Sequence, residues 1–132
     1  MAQNARSASK ADNLIMLVED DKMVAKLLSH TLSQRGFSVK IAADGRQAIE
    51  NLDNTQLPKL VLLDIILPCA DGFEVLSQIR SRKGWKKVPI IMLTSKTQEF
   101  NVVRAFESGA NDYVTKPFQL GELMVRINRL LN

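Results

Sequence analysis

The sequence predicts a doubly wound α/β domain with a parallel five-stranded sheet, and three observations lead to this prediction. Short apolar runs alternate five times with segments whose apolar residues recur at helical spacing. Each apolar run stops at polar or turn-forming residues, which is typical of strands buried on both faces of a parallel sheet. The alternation fills nearly all of the 132 residues, so the chain fits one domain with one core.

The five strands are predicted from continuous apolar runs and short alternating segments. The third is the clearest, because four apolar residues run directly into Asp64 between the turn-forming Pro58 and Gly72. Pro89 stands near the start of the fourth, where a missing backbone donor is tolerated. The predicted strands are residues 14–18, 37–42, 59–64, 88–94 and 112–115.

The helices are predicted between the strands, from apolar residues at helical spacing and from glycines that end them. Right-handed crossovers would place these helices on both faces of the sheet. Gly36 ends the first helix and Gly109 ends the fourth. The apolar positions are Met23, Val24, Leu27, Leu28 and Leu32 in the first helix, Phe73, Val75, Leu76 and Ile79 in the third, and Leu120, Leu123, Met124, Ile127, Leu130 and Leu131 in the last, with the second and fourth helices at 46–54 and 98–108.

Composition limits the function classes. Hydrophobic residues make up 45% of the chain and charged residues 24%, as in ordinary globular proteins, and the net charge of +4 is too small to indicate nucleic-acid binding. Cys69 is the single cysteine, so a reducing, cytoplasmic location is expected. No apolar run approaches the roughly 18 residues of a membrane span. Residues 1–13 are predicted to be a flexible tail before a domain at 14–132.

Polar side chains collect where the predicted strands end, at their carboxyl ends. If the sheet order is 2-1-3-4-5, the first and third strands are neighbours at the switch point, where a crevice opens. Crowded carboxylates need a proton or a divalent cation, and oxygen ligands favour Mg²⁺ or Mn²⁺ over zinc. The residues concerned are Glu19, Asp20 and Asp21 after the first strand, Asp64 after the third, Thr94 and Ser95 after the fourth, and Lys116 after the fifth.

This set of groups suits phosphoryl transfer to a carboxylate. Asp64 could attack a phosphoryl group as the nucleophile. A metal ion and Lys116 would balance the charge on the phosphoryl oxygens, and the hydroxyl of Thr94 could donate a hydrogen bond to one of them. The argument rests on chemical roles, because spacing alone would not select this reaction.

Four stretches together resemble the receiver domain of two-component response regulators. They are LVEDD at 17–21, LLDIILPCADG at 62–72, IIMLTSK at 90–96 and GANDYVTKPF at 109–118. The fold that this resemblance implies is flavodoxin-like, a (βα)5 domain with sheet order 2-1-3-4-5. The implied function is a switch, and not an enzyme acting on other molecules, that takes a phosphoryl group from a sensor histidine kinase or phosphotransfer protein and signals to a downstream effector or output domain.

The resemblance also implies roles for single residues. Lys116-Pro117 would be a cis peptide, which proline makes accessible. The implied roles are phosphoacceptor for Asp64, direct Mg²⁺ ligand for Asp20, water-mediated ligand for Glu19, backbone carbonyl ligand for Ile66, switch hydroxyl for Thr94, switch aromatic for Tyr113 and phosphate-pairing lysine for Lys116.

The last third of the chain is also similar to OmpR/PhoB-type receivers, which dimerise through the fourth helix, fifth strand and fifth helix. A homodimer is therefore a further partner to consider. The similarity is incomplete, because Gln98 and Val102 stand where that group carries basic residues, and Asn111 where it carries an acid. The charged positions that match are Glu107, Asp112, Glu122 and Arg126.

Two other functions remain open at this point. One is a flavodoxin-like redox protein that binds FMN at the same crevice, although acids follow the first strand where a phosphate-binding loop is needed. The other is a degenerate receiver that serves only as an interaction module. The basic run around Trp85, from Arg80 to Lys87, is predicted to be a solvated loop and not a nucleic-acid surface.

Overall fold

The computed structural model describes residues 13–132, which form a five-stranded parallel sheet with five helices. The strand order is β2-β1-β3-β4-β5, so the predicted fold and order are confirmed. The predicted tail lies outside the described residues except for Asn13, and its boundary stays a prediction. The elements are β1 (Leu14–Val18), α1 (Lys22–Gln34), β2 (Ser38–Ala42), α2 (Gly45–Asn54), β3 (Leu60–Leu63), α3 (Gly72–Ser81), β4 (Ile90–Thr94), α4 (Glu99–Glu107), β5 (Asp112–Thr115) and α5 (Leu120–Leu131).

Two apolar layers cover the two faces of the sheet, which makes the domain doubly wound. Alternate strand residues point to opposite faces. Met16 and Leu63 belong to the layer under α2, α3 and α4, whereas Leu17 and Leu62 belong to the layer under α1 and α5. The central strands β3 and β4 are buried along their whole length, so they read in sequence as unbroken apolar runs.

Local signals place the helix ends. Asp21, Asp44 and Asp71 are the N-caps of α1, α2 and α3, and each accepts hydrogen bonds from the first-turn amides with its carboxylate. Gly36 and Gly109 follow α1 and α4 with φ of 90° and 109°, the left-handed conformation that ends helices. These caps explain why the predicted and observed helices agree closely.

Some apolar residues that the sequence predicts to be buried are exposed in the structure. Met23 and Leu27 are 81% and 48% exposed, because α1 carries two apolar stripes and the one with Leu28 and Leu32 faces the sheet. The prediction of a solvated loop is wrong at two positions of the basic run. Arg80 lies in the last turn of α3 and bonds other parts of the chain. Trp85 is buried, because turns on either side fold it into the layer under α3. None of the helices in the described part of the chain has the length and apolar character that crossing a membrane requires.

Candidate functional site

Three carboxylates meet at the carboxyl ends of β1 and β3, as the strand order predicts. Glu19, Asp20 and Asp64 each offer an oxygen atom, and these atoms all lie within 4.8 Å of one another. The register fixes this approach, because Val18 and Leu63 are paired across β1 and β3. The amide of Asp64 extends the pairing by donating to the Val18 carbonyl at 3.1 Å. Glu19 and Asp64 are buried, whereas Asp20 is exposed.

Lys116 connects two of these acids. Its Nζ lies 2.5 Å from Oε1 of Glu19 and 2.9 Å from Oδ2 of Asp64. The lysine follows β5, and its amide donates to the Thr94 carbonyl at 2.8 Å, which continues the β4–β5 ladder into the site. The Lys116-Pro117 bond is cis, as the resemblance implies. The sequence predicts that Lys116 and Glu19 lie at the same end of the sheet, and the structure shows that they are in direct contact although they are 97 positions apart.

The surroundings of Glu19 and Lys116 raise the pKa of both groups. Burial raises the pKa of Glu19, and the hydrogen bond from Lys116 only partly opposes this effect. Burial alone would lower the pKa of Lys116, but its hydrogen bonds to Glu19 and Asp64 outweigh the burial and raise it. Lys116 is therefore a permanent cation at neutral pH, held between two carboxylates.

The acid cluster is chemically suited to a divalent cation. Within residues 13–132, the Asp20 carboxylate has no hydrogen bond or ion pair. The single positive charge of Lys116 therefore faces a cluster of three carboxyl groups. All side-chain donors are oxygens, the ligands that Mg²⁺ and Mn²⁺ prefer. Ile66 lies beside them, since its amide donates to Oδ1 of Asp64 at 3.1 Å. The carbonyl of Ile66 as a ligand stays a prediction.

Thr94 and Tyr113 converge on the loop between β4 and α4. Thr94 is fully buried, and its Oγ1 accepts a hydrogen bond from the Lys96 amide at 3.3 Å. The hydroxyl of Tyr113 donates to the Lys96 carbonyl at 2.7 Å. Burial, with a smaller effect of the Asp64 charge, raises the pKa of Tyr113, so the hydroxyl keeps its proton and remains a donor. Both predicted switch residues therefore contact the same loop.

Two glycines allow the loop after β3 to fold closely around Asp64. A Cβ on Gly72 would collide with the backbone carbonyl of Asp64, and a Cβ on Gly45 would collide with that of Ala70. In the sequence, Gly72 is predicted only as a turn-forming residue after the third strand. The available signal was the Asp-Gly pair that begins both α2 and α3. Cys69 in this loop is exposed and has a left-handed φ of 74°.

The charged positions that resembled a dimer interface are partly engaged within the chain. Asp112 at the start of β5 accepts two hydrogen bonds from Arg126 of α5, both at 3.0 Å. Asn111 accepts from Arg80 and from the Ile90 amide. A homodimer through this surface therefore stays a prediction.

Comparison with known proteins identifies the family. The model of the response regulator receiver domain family matches residues 15–128. The alkaline phosphatase synthesis transcriptional regulatory protein PhoP of Bacillus subtilis is 40% identical over 117 residues, which cover 89% of this chain and 48% of that protein. The chain thus spans about half the length of this relative.

Solved structures give the same result. The receiver domain of the sensor histidine kinase PA1611 from Pseudomonas aeruginosa, which holds a magnesium ion in its active site cleft, is 32% identical, with a TM-score of 0.81 and coverage of 90% of this chain and 97% of that one. A CheY-like response regulator receiver domain protein from Methanospirillum hungatei is 28% identical, with a TM-score of 0.84 and coverage of 90% and 93%. The chain belongs to the response regulator receiver domain family.

Proposed function

We propose that this receiver accepts a phosphoryl group on Asp64, in a Mg²⁺-dependent reaction, from a histidine kinase or a phosphotransfer protein. Receiver domains in general interact with histidine kinases and output domains. The observation that carries the proposal is the buried Asp64 carboxylate, which is held by Lys116 beside two further acids. The donor would carry the phosphoryl group on a histidine side chain.

The transfer is a displacement at phosphorus. A carboxylate oxygen of Asp64 forms the new O–P bond while the N–P bond of the phosphohistidine breaks, and the imidazole leaves. The Ile66 amide and the Lys116 ammonium hold Asp64 in one orientation through its two oxygens. Lys116 also balances the charge of the incoming phosphoryl group. Because the domain modifies its own side chain, we class it as a switch and not as an enzyme.

The residues that would hold the metal ion are Glu19, Asp20, Asp64 and the Ile66 carbonyl, with Glu19 acting through water. When bound, Mg²⁺ (or Mn²⁺) would neutralise charge on the phosphoryl oxygens. Asp20 supports this assignment, because its exposed carboxylate has no partner within residues 13–132. A cytoplasmic location agrees with this chemistry and remains an expectation.

The signal would pass through the loop between β4 and α4. Thr94 would donate to the phosphoryl group, and its bond with the Lys96 amide would then change. Tyr113 donates to the carbonyl of Lys96 in the same loop. Both switch residues would therefore shift the balance between two conformations of this loop. The output surface would be α4, β5 and α5, where Phe100 and Val125 are 67% and 66% exposed.

The FMN-binding alternative has little support from the site. It needs a phosphate-binding loop after β1, with free backbone amides and no acids. Here Glu19, Asp20 and Asp21 occupy that position, and the carboxylate of Asp21 already accepts from the Met23 and Val24 amides at the start of α1.

The test is labelling with a small acyl-phosphate donor in the presence of Mg²⁺. The parent chain should take up one phosphoryl group, and Asp64→Asn should lose all labelling with its fold intact, because an amide is not a nucleophile for phosphorus. Asp53→Asn is the matched control, since Asp53 is an exposed acid of α2 that pairs with Arg82. Labelling of Asp64→Asn at the level of the control would overturn the assignment.

A further inference from the structure

Arg80, in the last turn of α3, joins three parts of the chain through hydrogen bonds. Its Nε and one terminal nitrogen donate to the Gly109 carbonyl, at 3.0 and 2.8 Å. The other terminal nitrogen donates to the carbonyls of Trp85 and Lys86, at 2.9 and 3.1 Å. The amide oxygen of Asn111 accepts a fifth bond at 3.0 Å. One side chain therefore connects α3, the loop before β4 and the segment between α4 and β5.

The partners of Arg80 are neutral oxygens, so this is a different arrangement from an ion pair. A guanidinium group has five N–H donors, and each of the five donates one of these bonds. Gly109 lies just past the Ser108 cap of α4, at the negative end of the helix dipole. Arg80 thus binds the first carbonyl beyond this cap and places a cation at the C-terminal end of α4.

The backbone around this contact has little freedom to rearrange. Gly109 has a left-handed φ of 109°, and a Cβ at this position would lie 2.9 Å from Nε of Arg80. Asn111 links the same segment to β4 through two hydrogen bonds. Its side-chain Oδ1 accepts from the backbone amide of Ile90, and its backbone amide donates to the Ile90 carbonyl. The C-terminal end of α4 is therefore attached to α3 and to the start of a fully buried strand.

The N-terminal end of α4 is attached much more weakly. Its N-cap, Gln98, makes no capping hydrogen bond with its side chain to the described residues. Residues 95–100 are exposed, and within residues 13–132 α4 buries Asn101 and Ala105 alone. The Tyr113 hydroxyl bond to the Lys96 carbonyl links the loop before this end to β5, and within the first turn the side chain of Asn101 donates to Oε1 of Gln98 at 3.3 Å. The two ends of the helix therefore differ strongly in what holds them.

We propose that Arg80 is a positioning residue that anchors the C-terminal end of α4, so that α4 responds to the phosphoryl group by pivoting about Gly109. This inference rests on the proposed function, in which α4 is part of the output surface. The loop after Thr94 leads directly into the weakly attached end, so a change at the site reaches that end first. The anchor keeps the last turn of α4 folded while the first turns move.

The experiment is site-resolved amide hydrogen exchange on the full chain, with Mg²⁺ and with or without beryllofluoride, a phosphoryl mimic. In the parent, beryllofluoride should change exchange in residues 95–103 and leave 106–111 unchanged. In Arg80→Met, which keeps the apolar stem, the beryllofluoride response should extend through 106–111. Basal exchange there should rise about tenfold or more, the effect of losing a hydrogen bond to a charged donor.

Arg82→Met is the matched control, because Arg82 also lies at the end of α3 but bonds Asp53 and Gln78. It should respond like the parent, as should Asn111→Asp, which keeps an oxygen acceptor for Arg80. If Arg80→Met does not fold, Arg80→Lys decides the question, because a single ammonium cannot reproduce the fork of donors and the response should still spread.

Two results would overturn the inference while leaving the proposed function standing. One is a parent chain in which 106–111 respond to beryllofluoride as strongly as 95–103. The other is an Arg80 variant whose response stays confined to 95–103. The absence of any beryllofluoride response in the parent would instead contradict the proposed function, and the inference would fall with it.

Discussion

Single residues at the ends of strands define the candidate site, and this part was predictable from the sequence. Glu19, Asp20 and Asp64 follow two strands that the apolar runs mark clearly, so the strand order alone brings them together. The bonds that Lys116 and Tyr113 make were not predictable, because they depend on side-chain conformation across several strands. Sequence patterns carry little information about such contacts.

The lifetime of the phosphorylated state should depend on Ile66 and Lys96. Hydrolysis of an aspartyl phosphate needs a water molecule in line with the Asp64 oxygen. Ile66 is 48% exposed beside Asp64 and has no polar group in its side chain to orient water, and the exposed Lys96 follows Thr94 in the switch loop. We expect Ile66→Asn and Lys96→Glu to speed dephosphorylation by a factor of about two to ten, the effect of one added hydrogen bond to water.

The measurement is the decay of phosphoprotein after removal of the donor. Lys86→Glu is the control for Lys96→Glu, because it makes the same change of charge in the exposed loop before β4. If both site variants decay at the parent's rate, these two side chains do not control the lifetime.

The helices and strands could be predicted where a single apolar pattern dominates the segment. The buried face of a helix could not be predicted where two apolar stripes compete for it. The order and approximate bounds of all ten elements follow from apolar runs and caps. The face of α1 that packs on the sheet did not follow, since Met23 and Leu27 have the same spacing as the buried stripe. The role of Arg80 was missed for another reason. Its acceptors are backbone carbonyls and one amide, so no acidic partner marks it in the sequence.

Trp85 should report on folding but not on metal binding. It precedes β4, whereas Asp64 follows the neighbouring parallel strand β3, so Trp85 and the acid cluster belong to opposite ends of the strands. We expect Trp85 emission to change on unfolding in denaturant, because the side chain is buried, and to stay constant while Mg²⁺ is titrated. A large quench with Mg²⁺ at constant fold would contradict this placement of the metal site.

For the molecule as a whole, the acid cluster should lower stability until a metal ion binds. An ion that binds the native state alone adds about 2.7 kcal/mol at a concentration one hundred times its Kd. Asp20→Asn removes an acid that Lys116 does not neutralise, so the metal-free variant should unfold at a higher temperature than the parent. The same variant should lose most of the stabilisation by Mg²⁺.

Thermal unfolding with and without Mg²⁺ checks this prediction. Asp53→Asn, a change at an acid outside the cluster, should keep the full shift in melting temperature. An Asp20→Asn variant with the parent's Mg²⁺-dependent shift would show that Asp20 does not hold the ion.

The chain spans about half the length of the PhoP relative, and the central claim, phosphorylation of Asp64, concerns the receiver domain alone. It is tested most directly by treating the chain with an acyl-phosphate donor, trapping the aspartyl phosphate with borohydride and locating the reduced residue by peptide mass spectrometry. The account predicts reduction at Asp64 with Mg²⁺ and none when the ion is chelated. Trapping at any other acid, or equal trapping in chelator, would contradict it.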